Sequence, residues 1–356
     1  MNSPAALHIT DPMEPVIDPD SPLTRLALRF IRDARDIPFL KLAALQSVTL
    51  LPFAVYFFLP GRFAWLLALP YWGLTFAVFL APYTLMLHNT SHRRLFRPRW
   101  DLLNQYIPSV LGPLFGQSPG TYYAHHIGMH HPENNLEPDL SSTMHYQRDS
   151  FIDFLRYYGR FMYRGAYDLI RYFRRNNRPK LARQALVGEL VWFALAAAGL
   201  AVSWRATVVV LIVPLFVIRF LMMAGNWGQH AFVDAQAPAN CYRNSITCIN
   251  SSYNRRAFND GYHIGHHLSA TRHWTEMPAD LLATRERYIA ERAIVFSKVD
   301  FFLVWLFLML KRYDWLARCF VSLDGQQRPR QEIIDLLRSR TQRIASGAQP
   351  CQPCQP

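Results

Sequence analysis

Two pairs of long apolar runs constrain this chain more than any other feature. Residues 40–59 and 63–87 are separated only by Pro60-Gly61-Arg62, and residues 185–204 and 206–224 only by Arg205. Each run is near the roughly 20 residues a helix needs to cross a hydrocarbon core. No water reaches the backbone there, so each run must satisfy its own N–H and C=O groups as a helix. Connections this short turn each pair into a membrane hairpin. The expected fold is therefore an all-α integral membrane protein with about four transmembrane helices in two hairpins. Pro52, Pro70 and Pro82 predict kinks within the first pair, because a ring in a helix removes one donor and crowds the preceding turn.

Charge orients the hairpins. Arg93, Arg94, Arg97 and Arg99 follow the second run, which marks that end as cytosolic by the positive-inside bias. Residues 22–35 alternate Leu23, Leu26, Phe30 and Ile31 with Arg25, Arg29, Arg32 and Arg35, as expected of a basic amphipathic helix at the membrane surface. Residues 1–21 are rich in Pro and Asp and carry no apolar signal core, and read as a disordered cytosolic N-terminus. Residues 88–184 and 225–300 then form a cytosolic helical cap within a membrane domain spanning 22–310. In the cap, residues 102–115 are too short and too rich in Pro and Gly to span, and read as re-entrant or interfacial. Residues 151–183 interleave Arg with Phe and Tyr and are expected to lie along the headgroups.

Residues 301–310 are too short for a fifth span. Residues 311–356 read as a basic tail with a short helix over 331–344, ending in a Pro/Gln stretch whose lone Cys351-Gln-Pro-Cys354 supports no zinc module. Glu189 and Arg219, inside apolar runs, are expected to pair, to line a cavity or to reach for the interface. The formal net charge of +13 accompanies a composition that is 51% hydrophobic. Because the basic residues flank apolar runs, they point to anionic headgroups and argue against nucleic acid as a partner.

The histidines all follow the ends of runs. His88 and His92 are four apart, His125, His126, His130 and His131 crowd one short stretch, and His263, His266 and His267 form His-x-x-His-His, with His230 standing alone. On a helix, residues four apart share a face, so His126 and His130 with His131 beside them would aim ring nitrogens at one point. A single histidine is explained well enough by hydrogen bonding in a core or an interface, but three clusters on one side of a membrane call for a common cause. They offer more nitrogens than one zinc takes, so the count fits two ions. Imidazole suits iron, copper, nickel and zinc, and redox-active ions beside lipid suit dioxygen chemistry on unactivated C–H bonds. Glu133, Glu137, Asp139, Asp260 and Glu276 are near enough in sequence to orient imidazoles or simply to be solvated loop charge. His145 and His273 lie outside the patterns and are assigned surface or supporting roles.

His88-Asn-Thr-Ser-His92, His126-Ile-Gly-Met-His130-His131 and His263-Ile-Gly-His266-His267 resemble, in order and in hydropathy context, the three histidine boxes of membrane fatty acid desaturases. The resemblance covers roughly residues 40–278. It implies a non-haem di-iron centre on the cytosolic side and an apolar tunnel for an acyl chain, with O2 and electrons completing an oxygen-dependent desaturation. It assigns His88, His92, His126, His130, His131, His263, His266 and His267 as iron ligands, with His230 as the ninth and His125 as the alternative to His126 if the helix register differs. Asn226-Trp-Gly-Gln-His230 has the form of the acyl-CoA branch's Asn-x-x-x-His, which implies a direct ligand in His230 and a water-mediated one in Asn226. The second box departs from that branch's His-x-x-His-His, so the branch stays open. Hydroxylation or ketolation of an alkane, sterol or carotenoid is the alternative outcome for such a site, and metal transport or sensing the non-enzymatic one. The implied partners are a fatty acyl substrate on CoA, carrier protein or lipid, a separate donor such as ferredoxin or a cytochrome, and the lipids of a bacterial inner membrane or endoplasmic reticulum.

Overall fold

Among the described residues, three helical stretches are long and apolar enough to cross a membrane: Ala34–Phe58, Trp65–His92 and Pro179–Gln229. The computed structural model describes residues 7–15 and 17–345, is mostly helical (66%), and divides into two units. One comprises Glu14–Gly128 and Ala166–Phe220, the other Met1–Met13, Met129–Gly165 and Leu221–Pro356.

In the first unit the helix Ile37–Phe58 opens with a proline in its first turn, where a missing N–H costs nothing. Its 22 residues rise roughly 33 Å, about the thickness of hydrocarbon. Val48 is 71% and Leu66 76% exposed, and apolar side chains this open are at ease only where lipid replaces water. The stretch Trp65–His92 widens to π-helical geometry over Gly73–Phe79 before resuming as the α-helix Leu80–His92. Pro82 cannot donate to the turn before it, and local widening of the helix accommodates such a ring.

The 51-residue third stretch turns back on itself at Ser203, whose backbone is extended (φ −159°, ψ 101°). A Cβ placed on Gly199 would lie 2.7 Å from Thr207 Oγ1, whereas eight residues of straight helix rise roughly 12 Å. The sequence placed this reversal at Arg205. Arg219 donates to Gly116 O (3.1 Å) and Ser118 Oγ (3.2 Å), so it holds a polar turn inside the unit instead of reaching for the interface. Gly116 has φ +64°, and a Cβ there would meet Leu215 Cα at 2.5 Å, so only glycine fits. It ends the run of tight and wide helical turns over 98–115.

The other unit is not purely helical. Ile246–Ile249 and Ile294–Ser297 pair as a two-stranded parallel sheet, which corrects the all-α expectation. Both strands are short β-branched runs buried almost throughout, a pattern that periodicity alone does not separate from a buried helix. Phe301–Met309 is a core helix whose Phe301, Val304 and Leu308 pack with Ala231, Phe232, Ile294 and Phe296. The tail is also part of this core: the helix Arg330–Ser339 buries Ile333 and Leu337. The Arg148 guanidinium, fully buried, donates to the carbonyls of Ala231, Met144, Arg340 and Gln342. Part of the N-terminus expected to be disordered is likewise held: Asp11 is 5% exposed and hydrogen-bonded to Asn250 and Tyr262. Partners some 240 residues away leave no local mark on composition. The Cys351-to-Cys354 motif lies outside the described residues. Along Phe151–Arg175, Tyr163, Tyr167, Arg156 and Arg164 are all exposed, which matches the amphipathic reading of that helix.

Candidate metal centre

The helix Leu80–His92 ends at the first box, so His88 and His92 stand one turn apart at its C-terminus. His126 joins them: the ligand nitrogens of His88, His92 and His126 lie within 4.8 Å of one another, and His92 Nε2 is 3.0 Å from His126 Nε2. Its neighbour His125 is in neither imidazole group among the described residues.

The second box does not aim at one point. His126–His130 is a single π-helical turn, wider than the α-turn that would superpose residues four apart. His126 goes with the first box, while His130 gathers with His230, His263 and His267, again with ligand atoms within 4.8 Å of one another. Within this second set His263 Nε2 lies 3.2 Å from His230 Nε2 and 3.0 Å from His267 Nε2. His131 and His266 form a further facing pair at 2.9 Å. The short helix His263–Leu268 brings His263 and His267, four apart, together on one face and turns His266 to His131, and His230 directly follows the helix Val213–Gln229.

The outward nitrogens are fixed by partners. His130 Nδ1 donates to Asp139 Oδ2 at 2.7 Å. Asp139 in turn accepts from the Asn135 amide at Oδ2 and from the Ser141 amide and hydroxyl at Oδ1. The loop that brings Asp139 back reverses at Asn134 and Asn135, both with positive φ, a conformation asparagine tolerates better than most residues. His230 Nδ1 donates to the Asn244 carbonyl at 3.0 Å, and Asn244 is anchored through its own amide to Asn134 O and Asn135 Nδ2. With Nδ1 occupied as donor, each ring presents Nε2 as a lone pair. Burial, reinforced by His130, lowers the His230 pKa to about 4. Burial with His263, His131, His230 and His130 around it holds His267 well below the usual histidine value. Both rings are therefore neutral, as ligands must be.

A test of fit follows from the spacing. Metal–imidazole bonds of roughly 2.1 Å at near-tetrahedral or octahedral angles set adjacent donor nitrogens roughly 3.0–3.4 Å apart. The approaches of 3.0 and 3.2 Å between Nε2 atoms fall in that range. The donor set fits a metal. The Asn226 amide nitrogen donates to Tyr157 OH (2.7 Å) and Ser141 O (3.1 Å), which braces the loop that carries Asp139. His273 caps its own turn through Thr275. Sequence reasoning named Asp139 only as one of five acids and missed Asn244, Ser141 and Tyr157, since none of these carries a spacing signal.

The family model for fatty acid desaturase matches residues 63–299. No curated protein and no solved structure matches the chain.

Proposed function

Because this chain belongs to the fatty acid desaturase family, we propose that it desaturates a fatty acyl chain with dioxygen at two non-haem irons. The ligands in this reading are His88, His92, His126, His130, His131, His230, His263, His266 and His267. The observation that carries it is the pair of imidazole sets with facing Nε2 atoms. Iron bound there would supply the redox capacity to use dioxygen.

The protein's own share is positioning and exclusion. Asp139 and the Asn244 carbonyl hold the Nδ1 protons of His130 and His230, which keeps both rings in the ligand tautomer. Burial of His130, His230 and His263 keeps bulk water from competing for the donors. Taking one hydrogen from each of two adjacent methylenes while reducing O2 to two waters requires two further electrons and two protons, so a separate ferredoxin or cytochrome is part of the proposal. The two helical arms on either side of Ser203 would each cross the bilayer, giving four spans and a cytosolic cap that carries the histidines.

Elemental analysis of the purified protein tests the metal, and mass spectrometry of acyl chains from a desaturase-deficient host tests the reaction. Two irons per chain and a new double bond are expected, with His130→Ala and His267→Ala giving neither product nor full iron while still inserting into membranes. One zinc and no iron overturns the proposal. A hydroxylated or keto product moves the chain to hydroxylation or ketolation, and bound metal without oxygen consumption to transport or sensing.

A further inference from the structure

The N-terminal segment lies against the loop that delivers the third histidine box. Asp11 Oδ2 accepts from Tyr262 OH and from the Asn250 amide, both at 2.7 Å. Asn250 donates through its side chain to His8 O (2.8 Å) and accepts from the Thr10 amide (2.7 Å). Asn259 donates to Pro12 O at 2.6 Å and to Trp274 O at 2.9 Å. Asn250 and Asn259 both have positive φ, so the segment is stitched to the two reversals that bound the loop. Tyr262, 1% exposed, is the residue immediately before His263 and the N-cap of the helix His263–Leu268.

We infer that residues 7–13 are a strap that sets the position of His263, with Asp11 as a positioning residue for the metal site. The loop has little freedom elsewhere. A Cβ on Gly261 would lie 2.1 Å from Cys248 O, and Gly261 O accepts from the Cys248 amide at 2.7 Å, so one side of the loop is pinned to the sheet. The Asp11 carboxylate pins the other side through the Tyr262 hydroxyl. Asp11 accepts two hydrogen bonds at the entry to the ligand helix. Losing them frees Tyr262 to shift, and with it a donor nitrogen that must sit about 3 Å from those of His230 and His267.

This inference rests on the reading of His263 as a metal ligand. The test is titration of the full-length metal-free protein with Co(II) alone, read by the affinity and the position of the cobalt d–d bands. Asp11→Ala and Tyr262→Phe are expected to weaken cobalt binding roughly 10- to 100-fold and to move the bands. Asp11→Asn, whose amide oxygen still accepts from both partners, is expected to stay near wild type. Wild-type protein that binds no cobalt overturns the metal reading and the strap together. Wild-type binding with unchanged affinity and spectrum in Tyr262→Phe overturns the strap alone, whether or not Asp11→Ala folds.

Discussion

Replacing Asp139 by Asn is a nearly isosteric change whose cost can be worked from the hydrogen bonds. Oδ2 accepts from His130 Nδ1 (2.7 Å) and the Asn135 amide (2.9 Å), and Oδ1 from the Ser141 amide (2.8 Å) and hydroxyl (2.6 Å). An amide group has one acceptor and one donor end, and both ends of this site face a backbone N–H. Turned one way, the NH2 meets the Ser141 amide; turned the other, it meets Asn135 and forces the His130 proton from Nδ1 to Nε2. The second choice removes the lone pair that the site needs from His130. Each hydrogen bond to an ionised group is worth roughly 1.5–3 kcal/mol, and a buried donor left unmade costs about 1–3 kcal/mol. Loss of an outer partner to a ligating histidine costs roughly 10- to 100-fold in metal affinity. Asp139→Asn is therefore expected to lose iron affinity and turnover by that factor and to unfold at lower denaturant, while Ser141→Ala, which keeps all the backbone donors, loses less. Iron stoichiometry measured against free-iron concentration, alongside urea unfolding, checks both. Wild-type iron binding in Asp139→Asn would refute the assignment of His130 as an Nε2 ligand oriented by Asp139.

Gly228→Ala places a Cβ 2.2 Å from Phe301 O, a backbone atom that cannot swing aside, so the end of the His230 helix must shift. Overpacking of this kind costs roughly 1–3 kcal/mol, and metal analysis should show reduced occupancy even where circular dichroism is unchanged. Stopping the chain after Ser339 removes two acceptors of the buried Arg148 guanidinium, Arg340 O and Gln342 O, and the Ile344–Met144 hydrogen bond. A drop of roughly 2–5 kcal/mol in stability is expected, seen as a lower melting temperature. Burial, with Asp300 close by, raises the Asp260 pKa to about 7. The folded state thus holds a proton that the unfolded chain releases near pH 4, so stability falls as pH rises from about 4 to 7. Asp260→Asn should raise the melting temperature at pH 8, and the gain should vanish near pH 4; an equal gain at both would remove the titration argument.

The membrane runs and the three boxes were legible in the sequence because both are written in local chemistry. A hydrocarbon core demands about 20 consecutive apolar residues, and ligands on one helix recur at three or four residues, as His88 with His92 and His263 with His266 and His267 do. The Asn-x-x-x-His match singled out His230, which the structure sets 3.2 Å from His263. What was not legible depends on long-range pairing. The strap joins Asp11 to Tyr262 across 251 residues, and the C-terminal clamp joins Arg148 to Gln342 across 194. The parallel strands Ile246–Ile249 and Ile294–Ser297 lack the turn signal that betrays a hairpin, since parallel pairing needs a long crossover.

The division of the second box shows why spacing alone misleads at a functional site. His126 and His130 would share a face of an α-helix, yet the turn between them is π-helical, a geometry that the side-chain pattern does not encode and that adds one residue to the ring of each hydrogen bond. Across this turn the two rings part, His126 gathering with His88 and His92 and His130 with His230, His263 and His267. An isolated π-turn is less favourable than an α-turn and recurs at functional sites, so its presence between two ligands calls for a compensating gain. The gain available here is the bond from His130 to Asp139. The local backbone cost and the ligand geometry are in this way two sides of the same residue count.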